Sequence, residues 1–430
     1  MKLNYKRTFL IGFAFLSISA FWQLYDGIVS LMLKNTFSFG DALTGFILAL
    51  DNILAIFLLP LFGTLSDRTK TRFGKRMPYI VIGTAAAVVS MMFLPYADKT
   101  QNLTLFLVSL GVVLFAMSTY RSPAVALMPD LTPKPLRSKA NAVINLMGAA
   151  GVGFALAMTA LLVKSENGKA DYTYVFASVA AVMVISIVVL VLTINENRLA
   201  AEMADELKDD AVDEEKADPG KKQKLPRDVF KSLVFLLSSV FLWFFAYNAV
   251  SSTYSRYISS VFGITDGGFA KSLLIGTVAA VVSYIPIGIF SSRLGRKKII
   301  LIGLITMTAA FTVASFINSY NAAMYLALVA VGFGWAAINV NSYPMVVEMS
   351  KGSDIGRYTG LYYTFSMSAQ VATPILSGLL IDYLPIGYKV LFPYAAVFSA
   401  LAIVTMCFVR HGDAKPEQKS SLLEHIGGDD

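Results

Sequence analysis

Two aspartates stand inside apolar stretches long enough to cross a membrane. Asp26 lies in the run from Thr8 to Leu33, and Asp51 in the run from Ala42 to Leu65. A carboxylate at bilayer depth costs about 2.5 to 3.5 kcal/mol on insertion scales, and intramembrane acids are functional by default. Proton coupling needs a titratable group that faces each side in turn, with desolvation and a nearby cation opposing one another at its carboxyl. Arg121, in the fourth apolar run, is the expected counter-charge. A close arginine–carboxylate pair would hold the acid ionised until protonation releases it. Asp26, Asp51 and Arg121 are therefore the proton-coupling candidates.

Polar and aromatic residues recur around these charges at helical spacing, where positions three and four apart share a face. Trp22 and Gln23 accompany Asp26, and Asn141 with Asn145 make an amide ladder in the fifth run. In the seventh, Tyr247, Ser251 and Tyr254 form one stripe, and Asn248 with Ser252 another. Trp335, Asn339 and Ser342 share a face in the tenth, as do Tyr363, Ser366 and Gln370 in the eleventh. One such stripe is ordinarily helix-packing glue. Stripes on several helices suit a solute with hydroxyls and an apolar ring face, as a sugar has. The substrate-binding candidates are Trp22, Gln23, Asn141, Asn145, Tyr247, Asn248, Trp335, Asn339, Tyr363 and Gln370, with Trp22, Asn248, Asn339 and Gln370 expected around one central cavity.

The elements that must position these residues are membrane spans. The chain is 56% hydrophobic and 15% charged, far from the soluble balance of roughly 25% charged. Spans of about 20 residues begin near Thr8, Ala42, Pro78, Leu103, Ala140 and Tyr172, then Val229, Ala270, Lys298, Ala322, Gly356 and Tyr388. The fold class is an all-α membrane protein of twelve transmembrane helices in two pseudo-symmetric six-helix bundles. Expected domains are a first bundle at 1–194, a linker at 195–228, a second bundle at 229–410 and a tail at 411–430. The linker is acidic from Glu202 to Glu215 and basic from Lys221 to Arg227, the pattern of a solvated tether.

The net charge of +8 is not a nucleic-acid footprint, because it crowds particular links. Arg68, Lys70, Arg72, Lys75 and Arg76 follow span two, Lys134, Arg137 and Lys139 follow span four, and Arg293, Arg296, Lys297 and Lys298 follow span eight. Under the positive-inside rule these links and both termini are cytoplasmic. The first apolar run is too long for a cleavable signal and lacks a small-residue cleavage site. Cys407 is the single cysteine, and His411 and His425 both fall in the tail, so no disulfide pair and no intramembrane histidine relay is available. The sequence contains no His-Glu-x-x-His, metal cluster or P-loop; Gly332 and Gly334 follow no strand and read as packing. The Asn102-Leu-Thr sequon hugs the membrane and is discounted.

Gly63, Asp67, Arg68, Gly74, Lys75 and Arg76 close span two, and Gly288, Ser292, Arg293, Gly295, Arg296 and Lys297 close span eight. The repeated pattern implies a duplicated six-helix unit, an arrangement that places a substrate site at the repeat interface near midplane. Here the chain resembles the major facilitator superfamily. Asp67 and its basic neighbours could form a charge lock, so Asp67, Arg68 and Arg76 are gating candidates, joined by Glu348 at the cytoplasmic end of span ten; Asp130 sits similarly after span four. Ser292 replaces the acid in the second copy.

"SDRTKTRFGKRMPYIVIG" (66–83), "YRSPAVALMPDLTPKPLRSKANAVINLMGAAG" (120–151) and "NSYPMVVEMS" (341–350) are similar to the glycoside-pentoside-hexuronide:cation symporters, in particular the sucrose-transporter-like branch. That resemblance implies a proton-coupled sugar symporter of a disaccharide or glucoside, working by alternating access. Melibiose-type relatives carry paired acids in helix two, where this chain has Ala55 and Leu59, so sodium coupling is disfavoured. Leu114 stands near a mid-helix acid of plant sucrose carriers. Alternatives are an exporter of sugars or drugs and, in another class, a non-transporting membrane sensor. No enzyme activity, cofactor, metal or nucleic-acid partner is expected. The partners are a sugar, a proton and the lipid bilayer, for a monomer in the plasma membrane or a bacterial inner membrane.

Overall fold

The computed structural model describes residues 3–132, 136–166, 169–199, 201, 226–349 and 355–412. Most of the charged linker, Lys134 and the tail beyond Gly412 lie outside the described residues. Among the described residues, twelve helices are long and apolar enough to cross a membrane, as the hydropathy pattern predicts. In lipid a spanning segment must satisfy its own backbone, which helices do internally. The first six are α1 (Tyr5–Asn35), α2 (Asp41–Arg68), α3 (Met77–Lys99), α4 (Leu103–Asp130), α5 (Arg137–Leu162) and α6 (Thr173–Thr193). The second six are α7 (Arg227–Phe262), α8 (Gly268–Leu294), α9 (Arg296–Ala314), α10 (Ala322–Glu348), α11 (Ile355–Tyr383) and α12 (Gly387–Cys407).

Local chemistry sets several ends. Asn102 caps α4 by accepting from the Leu105 N–H at 3.0 Å, and Asn321 caps α10 by accepting from the Ala323 N–H at 3.0 Å, the usual asparagine role at an N-terminus. Large apolar side chains such as Phe57, Leu192 and Phe316 stay exposed, as a lipid-facing surface requires. The one departure from an all-α reading among the described residues is a hairpin between α5 and α6, where β1 (Lys164–Glu166) pairs antiparallel with β2 (Lys169–Asp171).

Helix α1 is not uniform. Residues Tyr25–Val29 form a π-turn, with Asp26 in its first turn; such turns are rare and frequently mark functional sites. The chain divides into two compact units close to this irregularity. The first comprises Met1–Leu24 and Ile53–Gly220, the second Tyr25–Asn52 and Lys221–Asp430. The hairpin of α1 and α2, which its sequence position assigns to the first bundle, is thus counted with the second unit.

Candidate functional site

Within the first unit, the charged loop after α2 is ordered around Arg76. Arg76 is buried, pairs with Asp67, and donates from Nε to Asp130 Oδ2 at 2.8 Å and from Nη1 to the Gly63 carbonyl at 3.2 Å. Lys75 Nζ reaches the same Asp130 oxygen at 3.0 Å. Arg68 is exposed at the end of α2. Buried Glu196 accepts from the N–H groups of Lys75 at 3.0 Å, Arg76 at 3.1 and 3.0 Å, and Met77 at 3.1 Å. A carboxylate on the orphan donors of a helix N-terminus is favourable both as acceptor and against the helix dipole. Gly74 makes room for it at φ +110°, a backbone region that glycine alone enters without strain. Glu196 falls at the start of the 195–228 segment expected to be a solvated tether, and it caps α3 instead.

The second copy of the pattern uses the same logic with another acid. In the second unit, buried Arg296 at the start of α9 meets Glu348 at the end of α10 at 2.5 Å, as Arg76 at the start of α3 meets Asp130 at the end of α4.

Deeper in the first unit, Arg121 lies over the Trp22 ring, 5.4 Å from its centroid, and Trp22 packs edge-on against Phe21 at 5.1 Å. A cation on an indole face is worth about 2 kcal/mol or more when desolvated. Gln23 is half-buried beside them, while Asn141 and Asn145 are exposed on α5.

The second unit holds both intramembrane acids. Asp26 and Asp51 are half-buried and within electrostatic reach of one another, and Tyr247 is within reach of Asp26. Asn52 donates to Asp51 Oδ1 at 2.9 Å. Tyr247 stacks on Trp335 with centroids 3.8 Å apart and planes 10° from parallel. Phe244 meets the same indole edge-on at 5.3 Å.

Asn339, one turn along from Trp335, donates to its carbonyl at 3.1 Å. Asn248, next to Tyr247 in the chain, carries a buried Nδ2 with no hydrogen-bond partner among the described residues. Not every predicted stripe faces this cluster. Tyr254 is buried and bonded to Ser272 at 2.7 Å, and Ser342 is bonded to Tyr362 at 3.0 Å. Tyr363 is 55% exposed and rests edge-on against Tyr362 at 5.6 Å; Gln370 is half-buried on the same helix.

The arrangement offers two carboxylates able to hold or release a proton, an aromatic face and an amide without a partner. The sequence matches the profile of the Major Facilitator Superfamily over residues 11–283 and 273–425. The chain belongs to that superfamily. It is a multi-pass membrane transporter, with the two-domain, twelve-helix fold of its class.

Among solved members of the superfamily, the inward-open xylose transporter XylE from E. coli aligns at TM-score 0.69 and 13% identity, over 98% of this chain and 99% of that one. A crystal structure of a D-xylose-proton symporter aligns at 0.68 and 14% identity, over 96% and 99%. The nucleoside transporter NupG (D323A mutant) aligns at 0.67 and 15% identity, over 95% and 100%. At these identities the likeness is one of fold. A curated relative, sucrose transport protein SUC3 of Arabidopsis thaliana, is 24% identical over 136 residues, which span 27% of this chain and 23% of the relative.

Sequence reasoning passed over a further group in the second unit. Asp41 is buried at the N-terminus of α2 and takes Arg256 Nη1 at 2.7 Å, Lys34 Nζ at 2.7 Å and the Tyr388 hydroxyl at 2.5 Å. An acid in the first turn of a helix and an arginine near the end of another looked unremarkable singly.

Proposed function

We propose that this superfamily member is a proton-coupled sugar symporter, carrying a disaccharide or glucoside down the proton gradient by alternating access. The observation that carries this reading is Asn248 with its buried Nδ2, unpartnered among the described residues, next in the chain to Tyr247, which stacks on Trp335. A buried amide donor without a partner costs about 1 to 3 kcal/mol. A solute hydroxyl would satisfy it, while the apolar face of a sugar ring would lie against the aromatic pair.

Asp51 and Asp26 are the coupling acids in this reading, with Asp51 held by Asn52. In the first unit Arg121 rests on Trp22. In the second unit Asn339 and Gln370 complete the solute's polar surroundings. Asp67, Arg68 and Arg76, with Glu348 and Arg296, act as charge locks at the basic, cytoplasmic face. The partial likeness to a sucrose transport protein and the fold shared with a xylose–proton symporter support the substrate class. The test is uptake of labelled sucrose, maltose, melibiose and glucose into vesicles carrying an imposed pH gradient. Accumulation of one of these that collapses with the gradient is the expected result. Turnover of a sugar by protein in detergent, or binding without flux, would overturn it.

A further inference from the structure

The Asp41 carboxylate gathers three side-chain partners, Arg256, Lys34 and Tyr388. Besides Arg256, Lys34 and Tyr388, the N–H of Asp41 and that of Ala42 donate to Asp382 at 2.9 and 2.7 Å, so an acid of α11 caps α2. Arg256 is buried, and its Nε has no partner among the described residues. Its other contacts are weaker, at 3.4 Å to the Ser252 carbonyl and 3.2 Å to the Thr253 hydroxyl. The guanidinium therefore depends on Asp41. A buried pair of this kind is strongly destabilised when one partner is removed, because the other charge is left uncompensated.

The backbones also meet closely at this place. A Cβ on Gly45 would fall 2.0 Å from the Pro374 carbonyl oxygen, and one on Gly378 would fall 2.3 Å from that of Asp41. At these two glycines α2 and α11 approach backbone to backbone. All of these residues belong to the second unit, and within it they lie at the end opposite the basic link between α8 and α9.

We propose that Asp41, Lys34, Arg256, Tyr388 and Asp382 form a charge latch that closes the non-basic face of the carrier, with Asp41 as its positioning residue. In the closed state the latch holds the α1–α2 hairpin on α7, α11 and α12. Solute can enter or leave by that face only after Arg256 gives up Asp41. The inference rests on the transporter reading alone, and neither the sugar nor the proton enters it.

Replacing Cys407 with serine leaves the chain free of cysteine, and Ser30→Cys then supplies one reporter. Ser30 is buried and 3.2 Å from Ser255. A membrane-impermeant maleimide is applied to right-side-out and to inside-out vesicles, with no solute present. Asp41→Asn and Arg256→Gln are expected to raise the labelling rate from the non-basic side by about fivefold or more, the scale of a modest conformational coupling. Labelling from the basic side should not rise with them. Asp41→Glu and Arg256→Lys keep the charges and should restore most of the protection. Tyr388→Phe removes a single hydroxyl and should give a smaller rise, and it decides the matter if the charge variants do not fold. Unchanged labelling in monodisperse Asp41→Asn and Arg256→Gln protein, or in Tyr388→Phe where those fail, would overturn the latch, as would a rise that the conservative variants do not reverse.

Discussion

Asn248 carries a conflict that a carrier can use. Its Nδ2 is buried without a partner among the described residues, a state that destabilises the empty protein by about 1 to 3 kcal/mol. Asn248→Leu is therefore expected to raise the melting temperature of the purified protein while weakening sugar binding roughly tenfold. Thermal unfolding and binding measured on the same preparation check both signs at once. A variant that loses stability and keeps its affinity would place the amide in packing. For the acids, Asp51→Asn should abolish concentrative uptake while leaving counterflow exchange, because exchange needs the site to reorient but needs no net proton movement. Normal accumulation by that variant would remove Asp51 from the coupling step.

Helix ends carry the second class of expectation. Glu196 accepts from three successive N–H groups at the start of α3, and it is buried. Glu196→Ala would leave those donors and the half-charge of the helix end without an acceptor, at a cost of about 2 kcal/mol or more. The expected outcome is a lower melting temperature with the loop at Thr71–Gly74 newly sensitive to protease. Asp130 and Glu348 could be anticipated as a matched pair because both end the fourth helix of a repeat, and each meets an arginine that begins the third. Glu196 could not, since a lone acid ahead of an acidic run has the composition of a tether. Asp41 was hidden for a related reason. An acid in the first turn of a helix is explained by the dipole alone, and nothing in spacing announces a partner 215 positions away. The spans themselves were legible to within a few residues because length and apolarity decide them.

At the scale of the whole molecule, the expectation concerns the driving ion. Flux should follow the pH gradient and be indifferent to sodium, since α2 has Ala55 and Leu59 where sodium-using relatives have acids. If Asp26 or Asp51 binds sodium, adding sodium at fixed pH will lower the half-saturating sugar concentration, and the proton assignment fails. The two acids were legible one at a time as costly charges in apolar runs. The π-turn that holds Asp26 was not, because spacing does not reveal a local change of helical hydrogen bonding.

The buried pair of Asp41 and Arg256 also constrains how the protein is made. The two residues are separated by 215 positions, and synthesis proceeds at about 5 to 20 residues per second. Asp41 therefore leaves the ribosome roughly 10 to 40 seconds before Arg256, with only Lys34 of its two cationic partners already made. During that interval the α1–α2 hairpin is in the membrane without the helices it will pack against, for α7, α11 and α12 have yet to be inserted. The second unit cannot close by folding its own stretch of chain in order. It must recruit a segment that has been waiting since the start of translation, so chains truncated between α6 and α7 should hold an unfinished hairpin exposed to quality-control proteases.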